Sequence, residues 1–199
     1  MKIKSLLLTI AILVIVISSL AQTKSSFTDH RDGKVYKTVT IGTQTWMAEN
    51  LAFKAAGGCW AYNNDPEKVK TYGYLYTWET AKKVCPAGWH LSSKDEWSAL
   101  VTSLGGEPVA GEKIKEAGTD HWQKPVSEAS NETGLTILPG GFRNDENVFY
   151  DLGYMYFGWC STEEDTEKAD HVLIYSHTKS VVISYINKNF GFSVRCVKD

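Results

Sequence analysis

Hydrophobic and polar positions sort the chain into short elements separated by strong turn signals. Val35–Ile41 alternates, with Val35, Val39 and Ile41 on one face and Tyr36, Thr38 and Thr40 on the other. Gly42-Thr43 breaks the run and Gln44–Met47 resumes it, which predicts a hairpin with Trp46 in the core. Trp78, Ala81, Val84 and Cys85 recur at helical spacing behind Thr77, a candidate cap, and Pro86 and Gly88 stop that helix. Trp89–Leu91 is a brief extended stretch. A second helix is expected from the capping box Ser93–Glu96, along the stripe Trp97, Leu100, Val101 and Leu104, to Gly105-Gly106.

The remaining segments are less regular. Residues 54–75 read as irregular, with Tyr72, Tyr74 and Tyr76 on one aromatic edge. Residues 107–147 hold a short helix over Ala110–Ala117, with Ile114 inward and Lys113 and Lys115 outward, among turns at Pro125, Gly134, Pro139, Gly140 and Gly141. Strands return at Val172–Tyr175 and Val181–Ile186. Both are apolar on two faces, as expected near the centre of a sheet covered on both sides. Phe192, Val194 and Cys196 alternate to the end. Strands, two main helices, a loop-rich middle and strands again predict one α+β domain without repeats.

The N-terminus has a different pattern. Lys2 and Lys4 precede the apolar run Leu6–Ile17, and Ser18-Ser19-Leu20-Ala21 follows. This is the layout of a secretory signal peptide over residues 1–21, with a retained membrane anchor as the alternative. Residues 22–31 then form a short polar leader and residues 32–199 the domain. The net charge of −2 falls to about −4 without Lys2 and Lys4, giving no broad attraction for nucleic acid or anionic lipid. No later segment approaches the roughly 18 apolar residues of a membrane span. The expected destination is secreted or envelope-associated, in the periplasm or on the outer surface.

Export bears on the four cysteines, Cys59, Cys85, Cys160 and Cys196. Two disulfides are the simplest reading, in any of three pairings, and one disulfide with two buried thiols is the alternative. A Cys85–Cys196 bridge would tie the first main helix to the last strand. No CxxC pair or zinc-knuckle spacing is present. The histidines His30, His90, His121, His171 and His177 show no metalloprotease spacing, and Ser127, Ser130 and Ser161 lie in no nucleophile elbow. His90 reads as structural and His121, beside Asp120, as a loop residue. Acidic groups gather at Asp145-Glu146-Asn147 and Glu163-Glu164-Asp165. Both read first as solvated faces and second as oxygen donors for calcium. Seven tryptophans and ten tyrosines, being dispersed, read as core before they read as sugar-stacking platforms.

The run Asp32-Gly33-Lys34-Val35-Tyr36 through Ile41-Gly42-Thr43-Gln44-Thr45-Trp46-Met47-Ala48-Glu49-Asn50-Leu51 resembles the opening of the Fibrobacter succinogenes major paralogous domain. The likeness continues at Tyr72-Gly73-Tyr74-Leu75-Tyr76-Thr77-Trp78, Cys85-Pro86-Ala87-Gly88-Trp89-His90-Leu91 and Leu138-Pro139-Gly140-Gly141-Phe142-Arg143. It closes at Gly191-Phe192-Ser193-Val194-Arg195-Cys196. This domain is common in exported proteins of Bacteroidetes and Fibrobacteres. The resemblance implies a C-type-lectin-like fold, with two main helices, a small antiparallel sheet and long loops. It also implies a Cys85–Cys196 disulfide, which leaves Cys59 with Cys160. The Glu-Pro-Asn-like and Trp-Asn-Asp-like sugar motifs of calcium-dependent lectins are missing from the sequence, as is the active-site segment of the sulfatase-activating oxidases. The expected function is an exported, non-catalytic binding or surface module for a glycan, peptide or envelope component, with no obligatory cofactor. A structural envelope protein is the alternative, and an enzyme of the formylglycine-generating-like group a further one.

Overall fold

The computed structural model describes residues 23–124 and 127–199. The signal-peptide reading of residues 1–21 lies outside them. The chain alternates strands β1 (Thr23–Thr28), β2 (Val35–Ile41), β3 (Gln44–Met47) and β4 (Cys59–Trp60) with helix α1 (Pro66–Tyr72), strand β5 (Leu75–Tyr76) and helix α2 (Trp78–Val84). Strand β6 (Trp89–Leu91) leads to α3 (Lys94–Ser103) and α4 (Glu107–Ile114). Strands β7 (Gly140–Arg143), β8 (Phe149–Leu152), β9 (Met155–Glu163), β10 (Lys168–Tyr175), β11 (Val182–Asn187) and β12 (Cys196–Lys198) complete the described elements.

The first sheet has the order β1-β2-β3-β12-β6, so the last strand lies between two early ones and joins the two ends of the fold. The second has the order β11-β10-β9-β7-β8 and contains a parallel contact between β7 and β9. The alternation along β2 explains how the layers meet. Val39 and Ile41 enter a core with Trp97, Leu100, Ile114, Tyr156, Val172 and Ile174. Tyr36 enters another core, with Tyr76, Trp78, Trp159, Phe192 and Cys196. The first sheet is thus covered on both faces, and aromatic burial supplies much of each core.

Four α-helices and two five-stranded sheets, beside the small β4–β5 ladder, overturn the expected C-type-lectin-like arrangement of two helices and one small antiparallel sheet. Helix α1 lies in the segment expected to be irregular. Asp65 caps it and Pro66 starts it, but none of its residues is buried, so no apolar stripe announces it. Residues 23–28, expected as a leader, pair along β2 as an exposed edge strand. The third predicted helix is shifted: α4 starts behind Gly106 and stops at Ile114. Lys115, expected outward, consequently leaves the helix in extended conformation and is fully buried. Strand β11, expected central, is an edge.

The capping box of α3 is present in full, with Ser93 and Glu96 exchanging side-chain and backbone hydrogen bonds. Thr77 precedes α2 without capping it; its hydroxyl donates to Thr80 instead. Gly141 marks the closest backbone approach within the second sheet, inside β7. It sits at φ +62°, and a Cβ there would run into the Tyr150 carbonyl.

Candidate binding face

The two faces of the second sheet have different surroundings. On one, Tyr156, Cys160, Val172 and Ile174 are completely buried under α3, α4 and the first sheet. On the other, the pairs Leu173–Phe157, Leu173–Val182, Tyr175–Met155 and Phe142–Tyr150 place apolar side chains opposite one another. Residues 190–192 and α2 cover only part of that face. Tyr150 remains 43% exposed and Val182 38%, while Phe142, Met155, Leu173 and Ile186 are half-buried. Phe142 lies nearly parallel to both Tyr150 and Phe190, with ring centroids 5.5 and 6.1 Å away. The result is an aromatic ladder bordered by aliphatic side chains, with Ser184 exposed beside it. Contiguous apolar surface of this kind marks an interaction site more often than isolated exposed hydrophobes do.

His171 lies under the covered end of this face, 5.2 Å from Phe192 and stacked on Phe157. Burial pulls its pKa down to about 4, so the imidazole is neutral near pH 7, and its Nδ1 has no hydrogen-bond partner among the described residues. Sequence reasoning missed the face because Phe142, Tyr150 and Met155 fell in or beside a stretch read as loops. The period-two set Met155, Phe157 and Trp159 was the signal that could have found it.

The residues singled out for chemistry are dispersed. Asp145, Glu146 and Asn147 form the exposed β7–β8 turn, held by Asn144, while Glu163, Glu164 and Asp165 belong to the β9–β10 turn. Asp165 accepts from the amides of Glu167 and Lys168, and Glu163 pairs with Lys188. Hydrogen bonding holds both carboxyls below their ordinary pKa. These calcium candidates therefore serve two separate turns, and no three metal-type side chains converge among the described residues. His121 meets Glu116, at 2.8 Å, rather than its neighbour Asp120. It lines a cleft of about 260 Å³ with Lys37, Glu49 and Lys70.

The disulfide joins Cys85 to Cys196, the pair implied by the resemblance. Cys59 and Cys160 are not joined, which corrects the expected second bridge. Cys160 is buried on the inner face of β9, and Cys59 donates to the Ala55 carbonyl. Burial pushes both thiols above their ordinary pKa, the opposite of what a reactive cysteine requires.

Two buried cations organise the loops. Arg195 donates to Asn50 Oδ1 at 2.7 Å and to the carbonyls of Met47, Leu135 and Thr136 at 3.1, 2.8 and 2.8 Å. Lys115 donates to Ser127 Oγ at 2.5 Å and to the carbonyls of Ser176 and Thr178. Desolvation lowers the Lys115 pKa to about 8. Such groups bind backbone that no strand or helix satisfies.

His90 bridges Glu96 at 2.8 Å and Asp199 at 2.7 Å, tying β6, the start of α3 and the chain end together. Desolvation opposes its charge, but the bonds to Asp199 and Glu96 prevail and raise its pKa; hydrogen bonds from Ser93 and His90 likewise outweigh burial and lower that of Glu96. The His90 contribution is therefore full below the unfolded histidine pKa of 6.5 and lost as pH rises through the raised folded value. The Glu96 contribution is lost only in acid. His90→Gln should cost about 0.5 kcal/mol in mild acid, a modest figure for a solvent-screened cluster, and progressively less above neutrality. Urea unfolding at several pH values checks this, and a cost that grows with pH would contradict it.

Residues 39–198 match the model of the Fibrobacter succinogenes major domain family, and the chain belongs to that family. No curated protein and no solved structure gives a match.

Proposed function

We propose that the chain is an exported, non-catalytic binding module that holds an apolar segment of an envelope protein on the open face of its second sheet. The observation carrying this reading is the contrast between the two faces of that sheet, one closed by core and the other covered at one end only, where Tyr150, Phe142, Leu173, Met155 and Val182 keep exposed apolar surface. Met155, Leu173, Val182 and Ile186 favour a polypeptide, because aliphatic side chains offer a sugar no hydrogen bonds. The near-parallel rings of Tyr150, Phe142 and Phe190 favour the second reading, a glycan stacked on aromatic faces.

Export is supported by the N-terminal pattern and by a disulfide that joins distant parts of the chain. Among the described residues no helix is long and apolar enough to cross a membrane. The non-catalytic reading is supported by the histidines. Both ring nitrogens of His90 are occupied by carboxylates, and Ser93 Oγ donates to Glu96 rather than to His90. The test is a binding screen of the exported protein against envelope proteins, peptides and glycans, with calcium and with chelator. Saturable, calcium-independent binding of a polypeptide is expected. Binding only to glycans selects the second reading, and binding abolished by chelator contradicts both.

A further inference from the structure

Strand β11 is an unguarded sheet edge. Its sequence, Val182-Ile183-Ser184-Tyr185-Ile186-Asn187, has no charge, no proline and no glycine, and β10 is its only strand neighbour among the described residues. Tyr185 is 52% exposed, and Val182 and Ser184 are exposed as well. Such an edge presents a row of unpaired backbone donors and acceptors and is a template for another strand. The flanking lysines do not protect it. Lys179 is paired with Glu112 and Glu128, and Lys188 with Glu163. The other sheet ends are blunted: β1 carries Lys24, β6 has three residues, and β8 contains Asp151 at φ +62°.

We propose that β11 pairs antiparallel with β11 of a second copy of this chain, about a two-fold axis at Ser184. This register places Val182 opposite Ile186 of the second copy and Ile183 opposite Tyr185 of the second copy, so every opposed pair flanking the axis is apolar. It also faces Lys188 with Ser180 and Lys179 with Asn189, so no two lysines meet. A two-fold axis through an edge-to-edge antiparallel pair runs perpendicular to the sheet, and both copies then show the same face. The two open aromatic faces become one continuous surface. The paired sheet has ten strands and ends at β8 on both sides, which closes the assembly at two copies. A second copy is favoured over a foreign strand because β11 is complementary to itself and carries no charge of its own, the Lys168 ammonium lying over the Tyr185 ring from β10. This inference does not depend on which ligand the face holds.

The test uses the exported protein in three forms. Sedimentation equilibrium of the unmodified protein should give twice the mass of one chain. The variant Ser184→Lys with Tyr185→Lys should give one chain's mass while keeping a cooperative melting transition, since both side chains are exposed on the edge strand and the lysine introduced at position 184 would meet its own copy at the axis. Ser184→Cys should form a cross-linked dimer on mild oxidation, because directly opposed Cα atoms lie about 4.5–5.5 Å apart, within disulfide reach. Val182→Cys, which faces residue 186 in this register, should not. A monomeric unmodified protein, a dimer that survives the double lysine variant, or equal cross-linking at 182 and 184 would each overturn the proposal.

Discussion

Replacing Arg195 by methionine should lower the unfolding free energy by about 3–5 kcal/mol, because the substitution strands buried acceptors that water cannot reach. The guanidinium is 1% exposed and gathers Asn50 and the carbonyls of Met47, Leu135 and Thr136 from two distant stretches of chain. Its partners are neutral, and desolvation pulls its pKa down to about 10, still far above physiological pH. Arg195→Lys should recover only part of the loss, since a single ammonium cannot reproduce a planar fork with several fixed donors. Urea denaturation of the three proteins measures both effects. A methionine variant within about 1 kcal/mol of the parent would show that these loops are held by other contacts.

The second large effect belongs to the disulfide. Cys85 and Cys196 are 111 residues apart, and closing so long a loop stabilises by about 4–5 kcal/mol in the chain-entropy model, within a usual range of about 2–5 for native bridges. The double variant Cys85→Ser with Cys196→Ser should lose stability in that range. Cys59→Ser should change it by less than about 1 kcal/mol, because that half-buried thiol has one weak partner. Thiol titration of the unreduced protein in guanidinium gives an independent reading, with two reactive thiols per chain expected from Cys59 and Cys160. No reactive thiol would mean a second bridge, and four would mean that the first never forms.

The legible parts of the fold are those where a local rule and a tertiary contact agree. Alternation in β2 and β3, the capping box of α3 and the stripe through Trp97, Leu100 and Val101 all specify their elements without help from afar. Helix α1 was hidden because its cap and proline are local signals while its side chains contribute nothing to a core. The second sheet, legible at β10 and β11, was hidden at β7 to β9 for the opposite reason. Its β9 strand is apolar on both faces, so Tyr156, Gly158 and Cys160 mask the alternation of Met155, Phe157 and Trp159. Glycines 140 and 141 read as a turn, although they are the start of β7, where the backbone of Tyr150 and Leu152 comes too close to Gly141 for a side chain.

The candidate face was illegible because exposure is a property of the whole fold. Nothing local distinguishes Phe142 and Tyr150 from core aromatics; what leaves them open is that residues 190–192 and α2 cover only one end of the sheet. Lys115 illustrates the converse. Helical spacing puts it outward, but the helix ends one residue earlier and the side chain turns into a cage of carbonyls. The acidic clusters looked like ligand sets because turns and calcium loops use the same residues. Here they sit in two different hairpins, where Asp165 satisfies backbone amides and Glu163 pairs with Lys188, while Asn144 rather than the cluster beside it holds the other turn.

The central claim, that the open face of the second sheet is the recognition surface, is tested most directly by the affinity of the best binder from the screen. It should be measured for the unmodified protein, for Tyr150→Ala and for Lys70→Ala, the last on the separate cleft beside His121. Tyr150→Ala should weaken binding by about tenfold or more, as expected for an aromatic anchor, and Lys70→Ala should leave it unchanged. Equal affinity for the parent and Tyr150→Ala, or a loss confined to Lys70→Ala, would contradict the assignment of function to this face.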